Sequence, residues 1–244
     1  GYGGIYMYNS SDSNIIQNCY IYKNLDGIKI IDCNNVNLTS NICLNNYNGL
    51  SLISASNNII YCNKLMYNSN YGVSIISSIN NILDSNIFSN NSTIGCVLTQ
   101  SSDNVLSGNI CLNSNLAGFS LYYSDSNSLL SNISYNNSAS GFTLQYSSNN
   151  KLCNNISSNN KTTAGYGFSV DKAFNNYFLQ NTSDSNQNYG FYILGTSSFD
   201  TFVKNNWISS PTNPDSAVYN ECDTYVDFRY NYWSTNDSSA ISGK

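Results

Sequence analysis

The side chains that could do chemistry in this 244-residue chain are fourteen acids, eight lysines and one arginine, with no histidine. Two carboxyl groups can hydrolyse a glycosidic bond when they lie about 5–10 Å apart. The acids closest together in the sequence are Glu221, Asp223 and Asp227, beside Arg229. This group could hold a cation or a sugar, but we expect a charged cap that protects a sheet edge from further pairing. No catalytic residue is therefore predicted.

The cysteines indicate a compartment rather than a metal centre. Eight cysteines occur without histidine and without a Cys-x-x-Cys pair, so neither a metal site nor a cofactor is predicted. An even number of cysteines is typical of an oxidising compartment, which favours an extracellular or cell-envelope location. Cys19 and Cys43 lie about one repeat apart in the pattern described below, so they are a possible disulfide. The other cysteines are expected to be buried small apolar side chains or, where exposed, links between subunits.

Composition and charge exclude several classes of protein. Charged residues make up 9% of the chain, but 41% of it is hydrophobic, which is unlike a disordered polypeptide. The net charge of −5 offers no basic surface for phosphates, so nucleic acid is not an expected partner. No apolar run approaches the roughly 20 residues that cross a bilayer, so no membrane span is predicted.

The positions of these side chains are set by a repeat of about 23 residues that runs through the sequence. Each unit opens with a small residue: Gly4, Gly27, Gly49, Gly72, Gly95, Gly118, Gly141, Gly167, Gly190 and Ala217. An asparagine follows fourteen or fifteen positions later in every unit: Asn18, Asn41, Asn63, Asn86, Asn109, Asn132, Asn155, Asn181, Asn205 and Asn231. Because an amide both donates and accepts hydrogen bonds, these asparagines are predicted to form an internal ladder along a stack of units.

The residues between these markers predict short strands. After the small residue, apolar and polar side chains alternate with the period of two that is typical of a strand, as in Gly72-Val73-Ser74-Ile75. An apolar residue stands three positions before each asparagine and must face a core. Three strands and three corners per unit predict an all-β fold, a parallel β-helix of about ten coils, with its repeats over residues 1–205. Residues 206–244 are predicted to form an irregular C-terminal segment that contains a last coil and serves as a cap or interface.

The repeated unit Gly-Φ-x-Φ-x-x-Ser-x-x-Asn-x-Φ-x-x-Asn, from Gly4 to about Asn205, resembles the right-handed parallel β-helix repeats of the pectate-lyase-like superfamily. It resembles in particular the repeats of NosD-like periplasmic proteins and of archaeal cell-surface proteins. The resemblance implies a right-handed parallel β-helix and leaves the activity open, since the superfamily includes lyases, hydrolases, epimerases, tail-spikes and adhesins. Copper handling, by analogy with the NosD-like repeats, lacks ligands, because the chain has two Met, no His and dispersed cysteines.

Two functions remain after this comparison. Glycan-cleaving members of the superfamily use clustered Asp residues, a His with Arg and Lys, or calcium-binding Asp with an Arg base, and the sequence shows none of these sets. We therefore expect a non-catalytic structural surface protein that assembles into a sheath, coat, filament or adhesin with other copies or other envelope proteins. An uncapped strand edge in the first coil favours such stacking. The alternative is a carbohydrate-binding or polysaccharide-processing β-helix protein, which as an enzyme would be a lyase or a hydrolase and whose glycan ligand would lie against some of the 21 tyrosines.

Several asparagines stand in Asn-x-Ser/Thr patterns, which are possible glycosylation sites. Those that belong to the predicted ladder should be buried. Asn160, in a three-residue insertion of the seventh coil, and Asn236, in the tail, are therefore the predicted acceptors.

Overall fold

The computed structural model describes residues 3–10, 13–208, 217–222 and 225–233. These residues form three parallel sheets and contain no helix, which confirms the predicted right-handed parallel β-helix. Each strand pairs with the equivalent strands of the neighbouring coils, at a register shift of 22 to 27 residues. Within the described residues, nothing helical is long and apolar enough to cross a membrane.

Each of the first nine coils contributes one strand to each of three sheets, and the last coil adds a strand to sheets A and C. Sheet A contains β1 (Gly3–Tyr8), β4 (Asp26–Ile31), β7 (Asn48–Ile53), β10 (Val73–Ile76), β13 (Cys96–Thr99), β16 (Phe119–Tyr122), β19 (Phe142–Gln145), β22 (Phe168–Asp171), β25 (Phe191–Leu194) and β28 (Val218–Asn220). Sheet B contains β2 (Ile15–Gln17), β5 (Asn37–Thr39), β8 (Ile59–Tyr61), β11 (Ile82–Asp84), β14 (Val105–Ser107), β17 (Ser128–Leu130), β20 (Lys151–Cys153), β23 (Tyr177–Leu179) and β26 (Thr201–Val203). Sheet C contains β3 (Tyr20–Tyr22), β6 (Ile42–Leu44), β9 (Lys64–Met66), β12 (Ile87–Ser89), β15 (Ile110–Leu112), β18 (Ile133–Tyr135), β21 (Ile156–Ser158), β24 (Thr182–Asp184), β27 (Asn206–Trp207) and β29 (Tyr232–Trp233).

The strands continue beyond residue 205, because β27, β28 and β29 extend the same sheets. The predicted division into a repeat region, 1–205, and a C-terminal segment, 206–244, stays a prediction. Residues 209–216 and 234–244 of that segment lie outside the described part of the chain.

The core is a column of apolar side chains that lie above one another in successive coils. In the N-terminal half the column on sheet A is aliphatic, and in the C-terminal half it becomes a stack of phenylalanine rings. Phe119 and Phe142 have ring centroids 4.9 Å apart and an interplanar angle of 3°, and Phe168 and Phe191 continue the stack at similar spacing. Because the coil spacing fits ring stacking, identical aromatic residues at one position pack without cavities.

Corners are the second repeated feature of each coil. A residue in the left-handed conformation turns the chain, and the next residue points its polar side chain inward. In the fourth coil these pairs are Ser77 with Ser78, Asn80 with Asn81, Ser85 with Asn86, and Asn90 with Asn91. Asn, Ser and Asp are suited to both positions, because they tolerate positive φ and their short side chains bond the backbone. The corners therefore account for the abundance of Asn and Ser in the sequence.

The predicted asparagine ladder is present from Asn41 to Asn231. At Asn109, the side-chain Oδ1 accepts hydrogen bonds from the backbone N–H and the Nδ2 of Asn86, at 3.0 and 2.9 Å. Its Nδ2 donates to the carbonyl of Leu83 and to Oδ1 of Asn132, at 2.9 and 3.0 Å. Each rung thus bonds to backbone groups and to the asparagine side chain of the preceding coil, and to the asparagine side chain of the following coil.

The prediction that Asn18 forms the first rung of the ladder is wrong. Asn18 is exposed and lies in the left-handed conformation of a corner, while Cys19 takes the rung position and its N–H donates to Oδ1 of Asn41 at 3.0 Å. The core residue of that corner is accordingly Ile16, which is buried, rather than Ile15, which is 64% exposed. The first coil has one extra residue before this corner, and the sequence count did not detect it.

Three further polar ladders occur at the other corners. One contains Asn46, Asn68, Asn91, Ser114, Asn137, Asn160 and Asn186. A second contains Asn58, Asn81, Asn104, Asn127, Asn150, Asn176 and Asp200. A third contains Ala55, Ser78, Ser101, Ser124, Ser147, Ala173 and Ser197, with serine hydroxyls as acceptors. These ladders were not predicted from the sequence, where only the asparagine near the end of each unit was counted.

The predicted disulfide and glycosylation sites are also changed by the structure. All eight cysteines are free thiols, and Cys43 pairs with Ile21 in register, two residues beyond Cys19, so the predicted Cys19–Cys43 bond is wrong. Asn160 is 1% exposed and its Nδ2 donates to Oδ1 of Asn186 at 2.7 Å, so it is a ladder rung and not a glycan acceptor. The other predicted acceptor, Asn236, lies outside the described residues.

Replacement of a central rung should destabilise the protein strongly. Asn109→Ala removes the acceptor for two buried donors of Asn86, and each unsatisfied buried group costs about 1–3 kcal/mol, so we expect a loss of roughly 2–4 kcal/mol. Asn206→Ala, at an exposed position of β27, is the matched control. Urea unfolding measures both; equal midpoints for the two variants would contradict the role of the ladder.

The glycine row should be equally intolerant of a methyl group. A Cβ at Gly49 would lie 2.5 Å from the carbonyl oxygen of Gly72 and 2.8 Å from Nδ2 of Asn68. We therefore expect Gly49→Ala to lower the free energy of unfolding by about 1–3 kcal/mol. A Cβ at Gly3 has its nearest neighbour at 3.5 Å, so Gly3→Ala should be neutral in the same thermal unfolding experiment.

Candidate functional site

The outer face of sheet A carries a continuous line of side chains, one from each coil, which we call the central row. It consists of Tyr6, Lys29, Ser51, Ser74, Val97, Ser120, Thr143, Ser169, Tyr192 and Tyr219. These positions alternate with core residues such as Ile28 and Ile30, so they face away from the core. The six side chains from Ser51 to Ser169 are small, whereas the two ends of the row carry tyrosine and lysine. The outer face of sheet A therefore carries small side chains along its middle and lysine and tyrosine side chains at its ends.

A pocket of about 540 Å³ lies at the N-terminal end of the central row. Gly3, Tyr6, Leu25 and Lys29 line it, and we call it the Lys29 pocket. The ammonium group of Lys29 lies 3.4 Å from Oδ2 of Asp26. The pocket thus combines a cation, a phenol and an apolar side chain on one side of the sheet.

The carboxylate of Asp26 fixes the position of the Lys29 ammonium group. Its side chain is only 3% exposed, compared with 25% for that of Lys29. The other carboxylate oxygen, Oδ1, accepts hydrogen bonds from Nδ2 of Asn48 at 2.9 Å and from Oγ of Ser51 at 2.6 Å. Because these donors come from the next coil, the carboxylate cannot swing away, and the cation is held where a negatively charged group in the pocket can reach it.

A cluster of four tyrosines, Tyr166, Tyr189, Tyr192 and Tyr219, covers the C-terminal end of the central row. The Tyr166 and Tyr192 rings are 4.0 Å apart with an interplanar angle of 14°, and Tyr192 stacks on Tyr219 at 5.0 Å. We call this group the tyrosine cluster. Stacked rings at successive coils give a rigid surface with hydroxyl groups at its margin.

Glu221 adds a negative charge to the tyrosine cluster. Burial, a hydrogen bond with Tyr166 and the nearby Glu221 carboxylate raise the pKa of Tyr192 to about 12. The same carboxylate raises the pKa of Tyr219, with a smaller contribution from burial. Both phenols therefore stay protonated at neutral pH and act as hydrogen-bond donors.

A second aromatic group lies on the other side of the central row. Tyr123 and Tyr146 stack at 4.7 Å with an interplanar angle of 7°, and Tyr122 meets Tyr123 edge-on at 4.5 Å. The ammonium group of Lys172 donates to the hydroxyl of Tyr146 at 3.1 Å and lies 5.2 Å from the centre of its ring. These residues and the tyrosine cluster together flank Ser120, Thr143 and Ser169 of the central row.

The acids that are grouped in the sequence are separated in the structure. Glu221 lies beside the tyrosine cluster, whereas Asp227 pairs with Thr201 of sheet B and bonds to Arg229 at 2.7 Å. The hydrogen bond from Arg229 keeps the pKa of Asp227 below its ordinary value. Asp223 lies outside the described residues. Tyr6, Asp26 and Lys29 were not predicted as site residues, because only the register of β1, β4 and β7 brings them together.

The fold is similar to solved structures of polysaccharide-processing enzymes. The periplasmic alginate epimerase AlgG is 18% identical, with 85% of this chain and 55% of that chain covered and a TM-score of 0.76. The Azotobacter vinelandii mannuronan C-5 epimerase AlgE4 A-module is 13% identical, with 96% and 82% covered and a TM-score of 0.61. The catalytic domain of a GH87 α-1,3-glucanase in complex with tetrasaccharides is 10% identical, with 93% and 56% covered and a TM-score of 0.60. The chain thus spans little more than half of AlgG, and identities this low show the fold alone.

These similarities correct the function expected from the sequence. The expectation was a non-catalytic, self-assembling surface protein, whereas the structures that share the fold are alginate epimerases and a glucanase. That expectation and the assignment as a non-enzyme are therefore wrong, and the alternative of a carbohydrate-binding or polysaccharide-processing protein is favoured. The expectation of a non-enzyme depended on the lack of clustered acids, and the faces on which the lysine and tyrosine side chains lie were not known from the sequence. No curated protein matches the sequence significantly.

The family comparison agrees with the repeat pattern found in the sequence. The family model described as "Periplasmic copper-binding protein (NosD)" matches residues 2–166, which is more than half of the chain. The matched range covers the first seven strands of sheet A and the Lys29 pocket. The chain belongs to the NosD family of parallel β-helix proteins.

Proposed function

We propose that this protein binds an acidic polysaccharide along the outer face of sheet A and acts on it in the Lys29 pocket. The observation that carries the proposal is the Lys29 ammonium, held by a buried carboxylate beside the phenol of Tyr6 in a pocket of about 540 Å³. The similarity of the fold to alginate epimerases and to a glucanase supports a polysaccharide as the ligand.

The central row suits an extended ligand that lies parallel to the axis of the β-helix. Parallel strands repeat about every 4.8 Å, which is close to the length of one sugar residue. From Lys29 to Tyr192 the row spans seven coil steps, or roughly 34 Å at that spacing. Small polar side chains such as Ser120 and Thr143 allow the ligand to approach the sheet, and the tyrosine cluster offers rings on which sugars stack.

The chemistry of the pocket fits a sugar that carries a carboxylate. An ammonium group next to that carboxylate stabilises the negative charge that develops when the adjacent carbon loses a proton. The Tyr6 oxygen, on a side chain that is 53% exposed, takes this proton as a phenolate and becomes a phenol. In an elimination, a carbon–carbon double bond forms as the glycosidic C–O bond on the next carbon breaks, and the phenol gives the proton to the leaving oxygen. In an epimerisation, water returns a proton to the opposite face of the carbon. Asp26 is a positioning residue, because it contacts Lys29 and not the pocket. The reaction class is therefore epimerisation or elimination at the carbon next to the carboxylate.

The proposed location follows the family. NosD proteins are described as periplasmic, in agreement with the cell-envelope location predicted from the cysteines. We propose the periplasm rather than the cell exterior, because AlgG, which shares the fold, is also periplasmic.

The described residues do not fit the copper that the family description names. Copper sites use imidazole, thiolate or thioether ligands, but the sequence has no His and only two Met. Among the described residues, no group of three or more His, Cys, Asp or Glu could hold a metal ion. Burial raises the pKa of Cys43 to about 12 and raises those of Cys96 and Cys111 as well, so these thiols stay protonated. No step of the proposed reaction therefore involves copper.

Removal of the pocket cation should weaken binding of a polyuronate and abolish turnover. For Lys29→Gln we expect about a tenfold loss of affinity for alginate, equivalent to about 1.4 kcal/mol, because one charge-assisted contact is lost. Affinity gel electrophoresis measures binding, and proton NMR of the incubated polymer detects epimerised or unsaturated residues. Tyr6→Phe should keep the binding and lose the turnover.

Lys64→Gln is the matched control, because Lys64 is an exposed lysine on sheet C, away from the central row. A purified wild type that binds neutral α-1,3-glucan as tightly as alginate would contradict an acidic ligand. Equal affinities of Lys29→Gln and Lys64→Gln for alginate would show that the Lys29 pocket does not bind this polymer.

The tyrosine cluster should contribute only to the binding of long ligands. A short uronate oligomer bound at Lys29 cannot span the roughly 34 Å to Tyr192, whereas a polymer can. We expect Tyr192→Ala to lower the affinity for polymeric alginate several-fold and to leave that for a trimer unchanged. Tyr135→Ala, at an exposed tyrosine of sheet C, is the control, and isothermal titration with both ligand lengths is the measurement. Equal losses for trimer and polymer would contradict the lengthwise arrangement.

A further inference from the structure

One rung of the buried ladders carries an acid in place of an amide. Asp200 occupies the position after Asn127, Asn150 and Asn176 in its ladder and is fully buried. Its Oδ1 accepts hydrogen bonds from the backbone N–H and the Nδ2 of Asn176, at 2.7 and 3.0 Å. Its other oxygen, Oδ2, is buried and has no hydrogen-bond partner. The carboxyl group therefore lacks the donor that every asparagine rung supplies.

The asparagine rungs show what that donor does. Nδ2 of Asn104 donates to the carbonyl of Ser78 at 3.1 Å, and Nδ2 of Asn127 donates to that of Ser101 at 3.0 Å. Oδ1 of Asp200 is the ladder acceptor, as Oδ1 of each asparagine rung is, so Oδ2 of Asp200 takes the place of the amide nitrogen. An ionised oxygen there is buried without a donor to compensate its charge, whereas a protonated oxygen can donate as the amide does.

We propose that Asp200 is a proton-dependent rung that fastens the last coil to the β-helix when protonated and loosens it when ionised. The last coil carries Tyr219 and Glu221, so the device would regulate the proposed binding face, and in this respect the inference rests on the proposed function. Main-chain hydrogen bonds connect Asp200 and its neighbour Phe202 to Asp227 of the last coil. Asp227 donates its N–H to the carbonyl of Asp200 at 3.0 Å, and its own carbonyl accepts from Phe202 at 2.7 Å.

Burial, and not a neighbouring charge, favours the neutral form of Asp200. The nearby Cys222 is a buried thiol whose pKa is raised by burial, by the charge of Asp200 and, to a smaller extent, by the charge of Glu221. Asp227, which pairs in register with Thr201, forms a salt bridge with Arg229. The guanidinium group of Arg229 therefore does not neutralise Asp200. Burial raises the pKa of Asp200 to about 7, although the hydrogen bonds from Asn176 act in the opposite direction.

The sign of the pH effect follows from this shift. The ordinary pKa of an Asp side chain is 3.8, and the folded value is higher, so folding favours the protonated acid. The stabilisation is complete below about pH 4, decreases as the pH rises towards 7, and is absent above that value. The last coil should therefore open as the pH rises through neutrality.

Tryptophan fluorescence tests the proposal in the absence of any polysaccharide. The chain has two tryptophans, and the buried Trp207 pairs in register with Trp233 of the last coil. We expect the emission of the wild type to shift to longer wavelength between pH 5 and 8. Asp200→Asn supplies a permanent donor, so its emission should not change over this range and its Tm at pH 8 should exceed that of the wild type.

Two variants separate this rung from other titrating groups. Asp84→Asn changes a surface acid of sheet B that accepts from Ser107 and should keep the wild-type transition. Cys222→Ser removes the neighbouring thiol and should also keep it. A transition that persists in Asp200→Asn, or a wild type whose emission is constant from pH 5 to 8, would overturn the proposal. The proposed function is tested separately at pH 5, where both proteins should bind alginate equally.

Discussion

The fold depends on how buried corners satisfy the backbone. A coil of about 23 residues turns several times, and each turn leaves N–H groups inside the β-helix, where water cannot reach them. An inward Asn or Ser side chain from the next coil accepts those bonds, as Asn86 does for Asn63 at 2.8 Å. Since every rung depends on its neighbours, the coils must stay in register, and one register brings all the outward side chains into straight rows.

The same constraint leaves the outer surface free to vary. Inward positions are fixed by the core, the glycine row and the ladders, whereas an outward position such as Ser51 or Thr143 has to satisfy only local packing. Function can therefore be carried by a few outward residues at one end of a row, as in the Lys29 pocket, without any change to the coil. This separation explains why proteins that are 10–18% identical share the fold with this chain.

The sequence predicted the features that repeat and missed those that occur once. A position occupied by asparagine in nearly every unit, such as Asn63 or Asn132, is visible by counting, and so is the small residue that opens each unit. The other ladders were not predicted, because Asn and Ser are equally common in corners whose side chains are exposed to solvent. The Lys29 pocket depends on contacts between side chains 22 to 25 residues apart, such as Ser51 with Asp26. No pattern within one unit could reveal it.

The absence of paired acids from the sequence is a weaker argument against catalysis than it first suggests. Hydrolysis of a glycosidic bond requires two carboxyl groups at a defined separation, but removal of a proton next to a carboxylate requires a cation for the charge and a group that exchanges the proton. In the proposed reaction these two functions would fall to Lys29 and Tyr6, which lie on adjacent strands, with Asp26 buried behind the cation. An acidic protein with net charge −5 repels a polyanion at long range, so one fixed ammonium in a pocket decides where such a ligand can dock. The low positive charge of the chain is therefore compatible with an acidic substrate that is bound at a single defined position.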